Sequence, residues 1–207
     1  MSNVKRPFIK MPYFLKLDEQ NLNYLDVLTY VALKSFDNPD HRCFPSYESI
    51  ADRAGLSRDF IIKSISRLKD AGYIRIWRRA GFQSANKSYP NHYYFNKLDK
   101  GDYFFMIPYE LLSEDRITNY EKAILLLLYQ FSVTPTTVIG KMDRFVKMLG
   151  ISKNAIYKKY LSLADKGFID KSRFNKYGIL NLLIIDWDFT YYLKGLEDQN
   201  CQELKVA

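Results

Sequence analysis

The residues best suited to chemistry lie within 45–79, PSYESIADRAGLSRDFIIKSISRLKDAGYIRIWRR. Arg58, Asp59, Ile62, Lys63, Ser66 and Arg67 recur at intervals that place them together on one side of a helix, and Ser57 stands where it would cap that helix. Ile61, Ile65 and Leu68, at i, i+4 and i+7, give the opposite, buried side. An arginine on such a helix can offer two donors to guanine O6 and N7, while lysines reach bases or phosphates. Phosphate contacts give register and salt-dependent affinity; base-edge contacts give sequence discrimination.

Something must hold this helix at the right angle. Ser46 is placed to cap a shorter preceding helix whose apolar positions are Ile50, Ala51 and Ala54, with Tyr47 in its first turn. Gly55 can take the positive φ of a tight turn between the two helices, and Leu56 plugs that turn into a core. Gly72 ends the second helix, and residues 73–77 (YIRIW) alternate as a strand. Residues 78–91 are polar and basic, with Arg78, Arg79 and Lys87, and residues 92–95 return as a second strand. Upstream, Tyr24, Leu25, Val27, Leu28, Val31 and Ala32 follow helical spacing, and residues 36–45 read as a loop. Three helices followed by a basic β-hairpin make a winged helix-turn-helix, with Ser46, Tyr47, Ser57, Arg58, Asp59, Lys63, Ser66, Arg67, Arg78, Arg79 and Lys87 as its candidate DNA contacts.

The pattern recurs. Phe8, Pro12, Tyr13, Leu15, Asn23 and Tyr24 reappear at constant spacing as Phe104, Pro108, Tyr109, Leu111, Asn119 and Tyr120. After a loop one residue shorter, Gly55, Ser57, Ile61, Lys63, Leu68, Asp70, Gly72 and Ile74 reappear as Gly150, Ser152, Ile156, Lys158, Leu163, Asp165, Gly167 and Ile169. A single change of register over such a span points to duplication. The expected architecture is α+β and mostly helical: two tandem winged-helix domains, 1–98 and 99–207, with an added aromatic-rich helix over 187–196. The second copy offers Lys153, Asn154, Tyr157 and Lys158 on its third helix, and Arg173 and Lys176 on a short wing. Asn154 suits adenine N6 and N7. Tyr157 and Leu161 make this face more apolar, so it reads bases, steadies phosphates or docks a partner.

Composition agrees with a nucleic-acid partner. The formal net charge of the 207 residues is +8. Residues 1–99 hold 16 Lys+Arg against 10 Asp+Glu, and the rest 15 against 13, with the acids concentrated after residue 185. No apolar run approaches the ~18 residues of a membrane span, and the first residues lack a signal-peptide pattern. The two cysteines, Cys43 and Cys201, suit a reduced, cytoplasmic protein. Neither they nor His41 and His92 have zinc-site spacing. Gly140-Lys141 lacks the rest of a phosphate loop, because Pro135 replaces its first glycine and Met142 its Ser/Thr. No His-x-His pair accompanies the tyrosines, as a nicking enzyme would need. Neither catalysis nor a cofactor or metal is expected.

Phe44-Pro45-Ser46, Ile50-Ala51, Gly55-Leu56-Ser57 and residues 68–74 (LKDAGYI) resemble the winged helix-turn-helix of phage replisome organisers and plasmid replication initiators. Residues 104–124 (FFMIPYELLSEDRITNYEKAI) are similar to the amino-terminal domain of plasmid initiators from Gram-positive bacteria. The resemblance implies cytoplasmic bacterial, plasmid or phage DNA binding at repeated origin sequences, with a homodimer or replication-protein partner held by the second domain or the C-terminal helix. A transcriptional regulator with the same DNA chemistry, and a protein-interaction adaptor built on winged helices, are the alternatives.

Overall fold

A computed structural model describes residues 8–14, 17–77, 91–96, 104–130, 137–170 and 179–184. The chain divides into two compact units, one of residues 7–127 with 148–150, the other drawn from residues 128–147 and 151–207. The first unit therefore runs past residues 96–102, where the sequence pattern restarts.

In the first unit, α1 (Asp26–Lys34) forms the centre, with Val27, Leu28, Tyr30, Val31, Ala32 and Leu33 all buried. α2 (Tyr47–Ala54) and α3 (Arg58–Asp70) pack on it and on each other. Ser46 caps α2 by accepting from Ser49 N at 3.1 Å, and Ser57 caps α3 by accepting from Phe60 N at 3.3 Å. Gly55 closes α2 at φ 63°, and Leu56 N then donates to Ala51 O at 3.1 Å. The positive φ calls for glycine at position 55, and a Cβ there would also lie 2.6 Å from Asn119 Nδ2 and push that side chain aside. Ile61, Ser64, Ile65 and Leu68 form the buried stripe of α3.

β2 (Arg42–Cys43), β3 (Ile74–Trp77) and β4 (His92–Phe95) form an antiparallel sheet of order β2-β4-β3. β3 and β4 fall where the alternation predicts them. β2 was expected to be loop: two residues are too few to show a period. Ile74, Tyr93, Phe95 and Cys43 point into the core.

β1 (Phe8–Pro12) pairs with β5 (Phe104–Pro108), the segment that repeats it. The ladder is antiparallel and centred on Lys10↔Met106, two positions equivalent in the repeat. Ile9 and Ile107 face each other from buried positions. Tyr24 and Tyr120, also equivalent, meet with ring centroids 6.4 Å apart. A local two-fold thus relates like residues within this unit. After β5 come α4 (Glu110–Ser113) and α5 (Asn119–Tyr129). Thr118 and Glu121 form a reciprocal capping box: Thr118 N donates to Glu121 Oε2 at 2.7 Å, and Glu121 N to Thr118 Oγ1 at 3.3 Å.

β6 (Thr137–Lys141) leads into α6 (Met142–Leu149), followed by α7 (Lys153–Asp165), β7 (Ile169–Asp170) and β8 (Ile179–Ile184). The sheet order β6-β8-β7 matches β2-β4-β3 in sequence logic. Ser152 caps α7 through Ala155 N at 3.2 Å, as Ser57 caps α3. Gly150 and Gly167 have φ of 64° and 81°, against 63° and 80° at Gly55 and Gly72. The expected helix over 187–196 lies outside the described residues. Among the described residues no helix is long and apolar enough to cross a membrane.

Candidate nucleic-acid interface

α3 turns Ile61, Ser64, Ile65 and Leu68 inward and leaves Arg58, Asp59, Lys63 and Ser66 exposed. The first turn of α3 lies beside that of α2. Arg58 Nε donates to Glu48 Oε1 from α2, and the Arg58 guanidinium lies 5.8 Å from the centre of the Tyr47 ring. The hydrogen bond from Arg58 holds the Glu48 carboxyl below its usual range, and Glu48 in turn raises Arg58. Both side chains are exposed, so the pair contributes little to stability and Arg58 can exchange Glu48 for another acceptor. Glu48 is absent from the sequence-based set of site residues. Its signal was an acid in the first turn of α2, one residue after Tyr47.

Ser46 and Ser57 spend an oxygen lone pair on their caps. Both are exposed, at the heads of α2 and α3. Tyr47 accepts a hydrogen bond from Asn91 Nδ2 at 2.9 Å, which ties the head of α2 to the start of β4.

Arg67 lies elsewhere. Its Nε and Nη2 donate to Asp26 Oδ2 and Oδ1 at 2.7 and 2.6 Å, and its guanidinium is 5.3 Å from the Phe60 ring centre. Asp26 is fully buried on α1. This bidentate pair fastens α3 to α1, so Arg67 serves the scaffold beneath the exposed face. The sequence signal was an acid among Leu25, Val27 and Leu28, where an apolar face demands a cation for it. The repeat does not preserve it: Lys122 stands at the position equivalent to Asp26, and its Nζ donates to Leu112 O at 3.0 Å.

On α7, Lys153, Asn154, Tyr157 and Lys158 are all exposed, with Leu161 one turn beyond Tyr157. Ile156, Tyr160 and Leu163 are buried on its other side. Arg78, Arg79, Lys87, Arg173 and Lys176 lie outside the described residues.

A second exposed surface escaped the sequence reading. On the face of the β2-β4-β3 sheet turned away from the helices, strand alternation sets Arg42, Arg75, Trp77, His92 and Tyr94, and Phe44 follows β2 on the same side. Trp77 is 50% exposed and Phe44 41%. The alternation in residues 73–77 and 92–95 was its signal, but taking residues 36–45 as loop hid the third strand.

Among the described residues no group of three or more His, Cys, Asp or Glu could hold a metal ion. No curated protein and no solved structure matches the chain. Residues 20–74 match the family model described as a helix-turn-helix domain, a range that takes in α1, α2 and α3 and ends at the first residue of β3. The chain thus carries a helix-turn-helix DNA-binding domain, with α3 as its second helix.

Proposed function

We propose that this protein initiates replication of a plasmid, phage or mobile element by binding repeated duplex sequences at its origin. The carrying observation is the exposed face of α3, where Arg58, Lys63 and Ser66 stand clear of a buried stripe that fixes the helix. Arg58 reads a guanine after leaving Glu48, and Lys63 meets a base or phosphate further along the groove. The repeat supports a second winged helix built around α7. Ser152, Gly150 and Gly167 reproduce the cap and turns of Ser57, Gly55 and Gly72. In this reading Lys153, Asn154 and Lys158 engage a second stretch of duplex. The apolar pair Tyr157 and Leu161 favours the other use of α7, docking a partner protein or a second copy of the chain.

Selection from a random duplex library gives the bound sequence. A bipartite footprint longer than one module covers is expected for two readers, because linked modules gain only when both engage together. A footprint of single-module length assigns α7 to protein contact. Replacing Arg58 and Lys63 together by alanine should lower affinity for the selected duplex by a factor of about ten to a hundred or more. The melting temperature should hardly change, and binding that survives would remove α3 from the interface. To separate initiation from transcriptional control, the selected repeats go into a plasmid without its own origin. Replication only when the protein is supplied supports the initiator. Altered promoter output without replication supports a regulator.

A further inference from the structure

The outer face of the β2-β4-β3 sheet is built as two rows across three strands. Arg42↔Tyr94 and Arg75↔Tyr94 register one row, with Tyr94 on the central strand between two arginines. The next row is aromatic. His92 is central, Trp77 opposes it in the register, and Phe44 flanks it on the β2 side. The Phe44 and His92 ring centroids are 4.5 Å apart at 73°, and those of Trp77 and His92 are 5.0 Å apart at 76°. Phe44 and Trp77 thus stand with their ring planes steeply inclined to the histidine on its two sides, each keeping much of its surface in water.

The arginines bear on this aromatic row. The Arg42 guanidinium lies 5.9 Å from the Phe44 ring centre, and its Nη2 is 3.1 Å from Asp40 Oδ2. That ion pair is open to solvent on both sides and gives way readily to a phosphate. Arg75 is exposed on β3.

Exposed aromatic rings, spaced across a sheet and accompanied by cations, suit unpaired bases joined by a charged backbone. A duplex keeps its base faces stacked inside and offers only edges and phosphates. The helix-turn-helix in the same unit makes DNA the strand at hand. We propose that this face binds single-stranded DNA, with bases stacking on Trp77 and Phe44 and phosphates meeting Arg42 and Arg75. The site is separate from the duplex-reading face of α3, and at an origin it would hold a strand released by melting.

The test uses the full chain and a fluorescently labelled oligo(dT), read by anisotropy, with the selected duplex and an oligo(U) of equal length in parallel. Trp77→Ala and Phe44→Ala should each weaken oligo(dT) binding about tenfold or more, and Trp77→Phe should retain most of it. Duplex binding should persist in all three. The variant lacking both Arg58 and Lys63 should bind oligo(dT) like the wild type, so the two sites fail independently. Thermal melting checks folding. Should an aromatic variant unfold, Arg75→Ala carries the test, with a loss of oligo(dT) binding expected. The proposal is overturned if the wild type does not bind oligo(dT), if folded variants bind it unchanged, or if oligo(U) binds more tightly. Equal loss of duplex and strand binding in Trp77→Ala would likewise overturn it, by making the face part of the duplex contact.

Discussion

Two arginines on α3 do opposite work. Arg58 sits in water against Glu48, whereas Arg67 spans the two oxygens of a carboxylate with no exposure of its own. Removing one member of a buried ion pair leaves the other uncompensated, at a cost of about 3–5 kcal/mol. Arg67→Ala should therefore lose stability on that scale in urea unfolding, since Asp26 would keep only the Asn23 N–H, at 2.7 Å. Arg58→Ala should unfold at nearly the wild-type urea concentration and show its effect in DNA titration instead. The sequence placed both arginines on the polar side of the helix. Spacing separates the inner stripe from the outer face but does not distinguish the middle of that face from its edge. Arg67 lies at the edge, where a long side chain can reach back to α1. The partner, Asp26, is 41 residues away in sequence.

At the scale of elements, the two serine caps and the left-handed glycine were legible because each answers a local demand of the backbone. Ser57→Ala should cost about 1 kcal/mol through the lost cap. Gly55→Ala should cost more, since it forces a Cβ into the left-handed region and against the Asn119 side chain, whose Nδ2 donates to Gly55 O. Thermal melts of the two variants test that ranking. Elements that depend on distant partners were harder to see. β2 is a strand because β4 lies beside it, and nothing in Arg42-Cys43 alone announces that. The same omission concealed the aromatic face, which needs all three strands to become one surface.

At the scale of the molecule, the recurrence of residues at constant spacing can be read from the sequence, but its consequence for packing cannot. Internal similarity says that two segments adopt like conformations; it does not say that they pair with each other. β1 and β5 do so, and Ile9 opposite Ile107 joins two buried positions across the ladder. Truncating either to alanine should destabilise the protein by about 2–5 kcal/mol. Because the residues touch, the double variant should depart from the sum by at least about 0.5 kcal/mol, measurable in a double-mutant cycle. An additive result would mean that the ladder contributes no coupling. The compact unit of residues 7–127 and 148–150 thus borrows from both copies, for a reason that only the strand register reveals.

That register also sets an order of events during synthesis. Phe8 pairs with Pro108, so the first strand leaves the ribosome about a hundred residues before its partner exists. At about 5–20 residues per second, the interval is on the order of 5–20 s. The three helices of the helix-turn-helix lie between these strands and can assemble in that time, while Ile9 and Met11 await the cover they have in the finished fold. A chain stopped between the two copies would carry a complete recognition helix and an unmated strand, whose open edge can pair with the same strand of a neighbour. Translation to residue 108 is what turns that edge inward.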